Sequence, residues 1–174
     1  MARSTFQGPL RSLTGAYIQG PGAVVNVSGS TLTVSPEAHG GRILNITAAT
    51  TTITLPAVNA TANPASSGPG QDPSTANNQG VMYTFVLPTA ATAVKIVTTS
   101  GDFLLGSVDM ATAGGATSTF TANGTTIRSI NLNGTTTGGI AGTVVNVFVL
   151  AANTYIVQGQ LIGSGTLATP FATS

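Results

Sequence analysis

The chain has 174 residues, a formal net charge of +1, only 5% charged residues and no cysteine. Soluble proteins average about 25% charged residues, so the polar surface here has to come from Thr, Ser, Asn and Gln. This excludes the basic stripe that nucleic-acid binding needs, and it excludes a disulfide framework and thiolate metal sites.

Twenty-two glycines and abundant Thr and Val disfavour helices and favour pleated sheets. A chain of this length buries roughly 70% of its unfolded surface, enough for one domain. No stretch reaches the roughly 18 apolar residues that a membrane helix needs, and the opening MARSTFQGPLRSLTG has no signal-peptide core. An outer-membrane barrel is not expected either, because aromatics at 5% cannot supply the two girdles. No membrane partner is therefore expected.

Residues 1–22 read as an arm. Arg3, Phe6, Pro9, Arg11 and Tyr17 punctuate a Gly- and Ser-bearing segment without periodicity. Arg and aromatic side chains dominate binding hot spots, so these five are candidate docking residues. Residues 23–174 read as a β-rich domain. Val24 to Val34 predicts a hairpin turning at Ser28-Gly29-Ser30. The loop that follows holds Glu37 and the single histidine, His39. The pair lies in a Gly-flanked turn without a third polar partner, which reads as a solvated turn rather than acid–base machinery. Arg42 to Leu55 predicts a second hairpin, turning at Ala48 to Thr50 and ended by Pro56.

Residues 59–79, with Pro64, Pro69 and Pro73, predict a long exposed loop. Val81 to Leu87 is a strong strand, followed by Val94 to Thr98, a turn at Ser100-Gly101-Asp102, and Phe103 to Val108. Asp102 and Asp109 are too sparse for a calcium loop and read as turn or capping residues. Gly114-Gly115 opens a flexible stretch. Asn123-Gly124 between strand-like runs predicts a hairpin, and Asn133-Gly134 repeats the signal in a local echo, ANGTT and LNGTT.

The most apolar stretch is Thr143 to Ile162. It predicts a central hairpin with Ala151-Ala152-Asn153 as its loop and Asn153 left-handed. Val145, Val147 and Val149 face one side, with Val144, Phe148 and Leu150 on the other. With both faces apolar, a second sheet or another subunit has to cover them. Val145, Val147, Val149 and, in the small-residue tail, Phe171 are candidate subunit-interface residues.

No catalytic constellation is legible. One His, no Cys and four dispersed carboxylates leave little for nucleophilic, acid–base or metal chemistry. There is no phosphate-binding glycine motif. The expectation is a non-enzyme without cofactor or metal. Two classes remain: a structural component of a large protein shell, and an adhesive or receptor-binding module.

The opening ARSTFQGPLRSLTG, the uncharged Thr/Ala/Gly-rich strands and the closing AANTYIVQGQLIGSGTLATPFA resemble small virion proteins of tailed bacteriophages. In particular the chain is similar to capsid decoration, or cement, proteins. The resemblance lies in general character over the whole chain and carries no site residue. It implies a β-rich domain on the outer capsid surface, made in the host cytoplasm, bound to the major capsid protein and often a homotrimer. Head fibres and adhesive modules of virions are the alternative. The expected fold is all-β: a single-domain antiparallel sandwich or barrel, jelly-roll-like, with an extended N-terminal arm.

Overall fold

The computed structural model describes residues 23–60 and 78–174. These form an all-β sandwich of two packed sheets. The described strands are β1 (Val24–Val27), β2 (Thr31–Thr33), β3 (Ile43–Ile46), β4 (Thr50–Thr54), β5 (Met82–Val86) and β6 (Ala93–Val97). They continue as β7 (Phe103–Thr112), β8 (Thr117–Asn123), β9 (Ser129–Leu132), β10 (Val144–Ala151), β11 (Thr154–Gly163) and β12 (Phe171–Ala172). One helical turn, α1 (Pro36–His39), is capped by Ser35, whose hydroxyl accepts from the Ala38 N–H. The larger sheet has the order β1-β3-β5-β10-β11-β7-β8 and the smaller β12-β9-β6-β4-β2.

The sandwich expected from the sequence is present, but its sheets are mixed rather than wholly antiparallel and jelly-roll-like. The difference arises in the first half of the described chain. β1 and β2 do not pair with each other, and neither do β3 and β4. Each pair is an arch: the first strand joins the larger sheet and the second crosses to the smaller. β5 and β6 repeat the move. The arches stack, so β1, β3 and β5 run parallel in one sheet and β2, β4 and β6 run parallel in the other. The Asn45 side-chain amide donates to Asn26 Oδ1 at 2.8 Å on the outside of this stack.

A tight hairpin needs left-handed residues to match strand twist. None of the residues at 28–30 or 47–49 has a positive φ, so the chain bends from sheet to sheet instead of folding back. Asn123-Gly124 also fails to make the expected hairpin. Gly124 has φ +73, but Asn123 Oδ1 accepts the N–H groups of Thr125, Thr126 and Ile127. That side chain shapes the link as a further crossing, from β8 to β9. Asn133 repeats the device on Thr135 and Thr137, which gives the echo in the sequence a structural meaning.

The central hairpin is as expected. β10 and β11 pair antiparallel in the middle of the larger sheet. Asn153, at φ +59, is the only described non-glycine residue with positive φ. Gly114-Gly115 forms the tight turn of the β7–β8 hairpin, with Gly115 at φ +84. Phe103 to Val108 extends into the longer β7, which pairs parallel to β11 along ten residues.

Alternation in both sheets supplies one shared core. In the larger sheet, the row Val25–Leu44–Phe85–Val145–Gly159–Val108–Phe120 crosses all seven described strands. In the smaller, Leu32–Ile53–Ile96–Ile130–Phe171 crosses all five. Each fully buried Val, Leu, Ile or Phe contributes about 1.5–3 kcal/mol by leaving water. Backbone crowding at Gly106 is severe: its φ is +132, and a Cβ there would run into the Val157 carbonyl oxygen.

Candidate functional site

The docking candidates Arg3, Phe6, Pro9, Arg11 and Tyr17 lie outside the described residues, as does most of the long Pro/Gly loop. The two described ends of that loop are held together by buried Asn78. Its amide donates to the Ala57 carbonyl, and its Oδ1 accepts the Asn59 N–H, each at 2.9 Å.

The interface candidates are corrected. Val145, Val147, Val149 and Phe171 are all buried in the chain's own core. The three valines face the smaller sheet. Phe171 pins the C-terminal tail to β9 of the same chain through β12. Strand alternation commits these side chains inward, so they are not available to a second subunit.

The polar candidates have structural roles. The Ser35 N–H donates to His39 Nδ1 at 3.0 Å, which ties the ring to its own helical turn. Asp109 accepts from the Thr119 hydroxyl at 2.6 Å on the neighbouring strand. Asp102 closes the turn from Thr99, and its Oδ2 accepts the Val58 N–H at 2.9 Å. Burial pushes the Asp102 carboxyl above its ordinary range, against the opposing pulls of the Val58 hydrogen bond and nearby Arg128. Tyr155 donates from its hydroxyl to the Pro56 carbonyl at 2.7 Å. Burial foremost, with nearby Tyr83 and Asp102 adding to it, pushes that phenol far upward. Among the described residues no three His, Cys, Asp or Glu side chains come together as a metal site.

What the structure does assemble is a surface. Among the described residues, the most exposed large apolar side chains are Val24 (51%), Met82 (47%), Leu150 (45%), Ile43 (40%) and Leu105 (38%). All five belong to the larger sheet and point away from the core. Register explains the clustering. Met82 lies opposite Phe148, Phe148 opposite Ile156, and Ile156 opposite Leu105. Four adjacent strands thus present one apolar row outward. Val24 and Ile43 are cross-strand partners and extend the patch along the arches. Such contiguous exposure marks an interaction surface, whereas apolar side chains scattered singly would not.

The outer face of the smaller sheet is different. Thr31 lies opposite Thr52 and Thr33 opposite Thr54, with Lys95 and Asn131 continuing the first row. Its exposed positions are mostly threonine hydroxyls, which water satisfies.

The sequence flagged part of the apolar face, since Val144, Phe148 and Leu150 lie on the second side of the central hairpin. Met82, Ile156 and Leu105 were missed as a group. They are distant in sequence, and only strand order makes them neighbours. Comparison with known proteins gave no family model, no curated protein and no solved structure that matches the chain.

Proposed function

We propose that the protein is a non-catalytic structural component of a virion. In this reading it docks on the outside of an assembled phage capsid through residues 1–22 together with the outer face of its larger sheet, and stabilises the shell by bridging neighbouring capsid subunits. The observation that carries the reading is the apolar row Met82–Phe148–Ile156–Leu105, flanked by exposed Val24, Ile43 and Leu150. The near absence of charge and the resemblance to decoration proteins support the same reading. A face of this kind gains by burial against a preformed surface. A ligand that binds only the assembled shell stabilises it by mass action. Many weak contacts, linked through the lattice, raise avidity by roughly 10²–10⁴.

The test is co-sedimentation with purified heads that lack the protein, at low and moderate salt. Binding should be nearly independent of salt, because few charges take part. Phe148→Asp together with Leu105→Asp should weaken binding at least tenfold while the β-sheet circular dichroism spectrum is retained. Deletion of residues 1–22 should leave a folded domain that no longer binds heads. Binding that collapses between low and moderate salt, or that ignores the Phe148 and Leu105 changes, would overturn the assignment of this face.

A further inference from the structure

Both sheets end at the same place. β1 is the outermost described strand of the larger sheet and β2 of the smaller, and only residues 28–30 separate them in the chain. At the opposite end of the sandwich β8 and β12 are the outermost described strands. There residues 124–128 carry the chain from β8 to β9, the Leu104 N–H donates to the Ile127 carbonyl, and the Arg128 N–H donates to the Ala172 carbonyl.

Among the described residues, the open end presents main-chain groups that no strand uses. Ile43 donates to the Ala23 carbonyl, and Thr47 and Ala48 donate to the Val27 carbonyl. β1 therefore faces β3 through residues 23, 25 and 27. Alternation along a parallel pair turns the N–H and C=O groups of Val24 and Asn26 the other way. In the smaller sheet Thr52 donates to the Ser30 carbonyl and Val34 to the Thr54 carbonyl. That turns Thr31 and Thr33 outward. Among the described residues no strand pairs with either edge.

The core rows also stop here unfinished. Val25 and Leu32 are only half-buried, while the next residues in their rows, Leu44 and Ile53, are completely buried. Natural sheet edges are commonly blunted by Lys, Pro or a bulge. Residues 23–34, AVVNVSGSTLTV, contain no charge and no proline.

We infer that this open end is the interface to a second copy of the chain, joined head to head about a two-fold axis normal to both sheets. That operation sets β1 antiparallel to its own copy and β2 antiparallel to its own copy. In β1, Val24 falls opposite Asn26 of the second copy, so the outward N–H and C=O groups of both residues are satisfied. Thr31 and Thr33 supply the equivalent groups in β2. Val25 and Leu32 meet their counterparts and carry both apolar rows across the junction. No like charges meet, because the edge has none. The contact is isologous and uses up the open end of both copies, so it stops at a dimer. Head-to-tail addition would instead need the end formed by β8 and β12, where β12 has only two residues and offers too short an edge for β2.

The test uses the full 174-residue chain in light scattering and sedimentation across a concentration series, with hydrogen exchange read at single amides. The expected result is a dimer in which the Val24, Asn26, Thr31 and Thr33 amides are protected and lose that protection on dilution. Val24→Pro with Thr31→Pro removes one outward donor from each edge and leaves the β1–β3 and β2–β4 bonds intact. It should raise the dimer dissociation constant more than tenfold with an unchanged circular dichroism spectrum. Should that variant unfold, Val25→Lys serves the same purpose, because a half-buried lysine at the end of the core can reach water in the monomer but not in the dimer. Phe148→Asp with Leu105→Asp, on the outer face, should leave the dimer unchanged, which separates this inference from the docking proposal. A monomer at all concentrations would overturn the inference, including one with protected edge amides, since residues 1–22 would then be covering the edge. So would a trimer, or a dimer indifferent to both edge variants.

Discussion

The two halves of the sandwich start from similar alternating strands and fold by different rules. Strands β1 to β6 form three stacked arches, each strand pairing with the equivalent strand of the next arch. Residues 103–163 contain two antiparallel hairpins, β7–β8 and β10–β11. The strands themselves do not decide between these outcomes. The links do. Both hairpins turn on a left-handed residue, Gly115 at φ +84 or Asn153 at φ +59, and the links at 28–30 and 47–49 have none. These two links carry the chain across the core instead, although a left-handed glycine alone does not force a hairpin, since Gly101 and Gly124 lie in links that also cross between the sheets. The next strand then finds its partner in a later arch rather than in its sequence neighbour.

The largest effect is expected where the hairpin half is locked together. Gly106 sits in β7 against β11, where an added Cβ would meet the Val157 carbonyl and the backbone has φ +132. Gly106→Ala should cost more than about 3 kcal/mol, at the upper end of single-site effects. Chemical denaturation would read this as a large fall in midpoint, and an unchanged midpoint would mean that β7 and β11 are not in register. In the arch half, Ile53→Ala removes the middle of the row Leu32–Ile53–Ile96 and should cost about 2–5 kcal/mol. A loss near zero would show that the arches are not stacked as described.

The role of the links is tested more gently at Asn153. Asn153→Ala should cost about 1–2 kcal/mol through its left-handed backbone, while Asn153→Gly should be close to neutral. If the two variants are equally stable, the left-handed turn is not what directs this hairpin.

The smallest effect is electrostatic and lies where the halves meet, at Asp102. Its carboxyl is raised in the folded state by burial. The folded protein therefore holds this proton more tightly than the unfolded chain does. Stability should rise as pH falls through the window from the raised folded value down to the ordinary carboxylate value, and the group costs stability above that window. Asp102→Asn keeps an acceptor for the Val58 N–H and should flatten this part of the pH–stability profile. A variant profile parallel to that of the parent would show that Asp102 is not the titrating group.

Much of the secondary structure was legible because strand alternation and turn chemistry are local. Asn153, Gly101 and Gly115 sit in tight turns that their residue types suit, and the central hairpin follows from residues within twenty positions of one another. Asn123-Gly124 misled because one side chain accepted three backbone donors, and nothing in the dipeptide reports that competition. Val145, Val147, Val149 and Phe171 were legible as apolar, yet a core and a subunit interface demand the same residue types. The apolar outer face was only half legible. Phe148 and Leu150 sit in the hairpin that announced it, but Met82 and Leu105 join them through strand order alone.

By itself, then, the sequence determined the all-β character, the central hairpin and the scarcity of charge. Composition and φ preference act over a few residues and need no partner. Tertiary structure decided which strands became arches, which apolar face turned inward, and that both sheets end together at β1 and β2. Those outcomes depend on pairings between residues far apart in the chain, and strands of similar pattern leave such pairings open until the sheets assemble around one core.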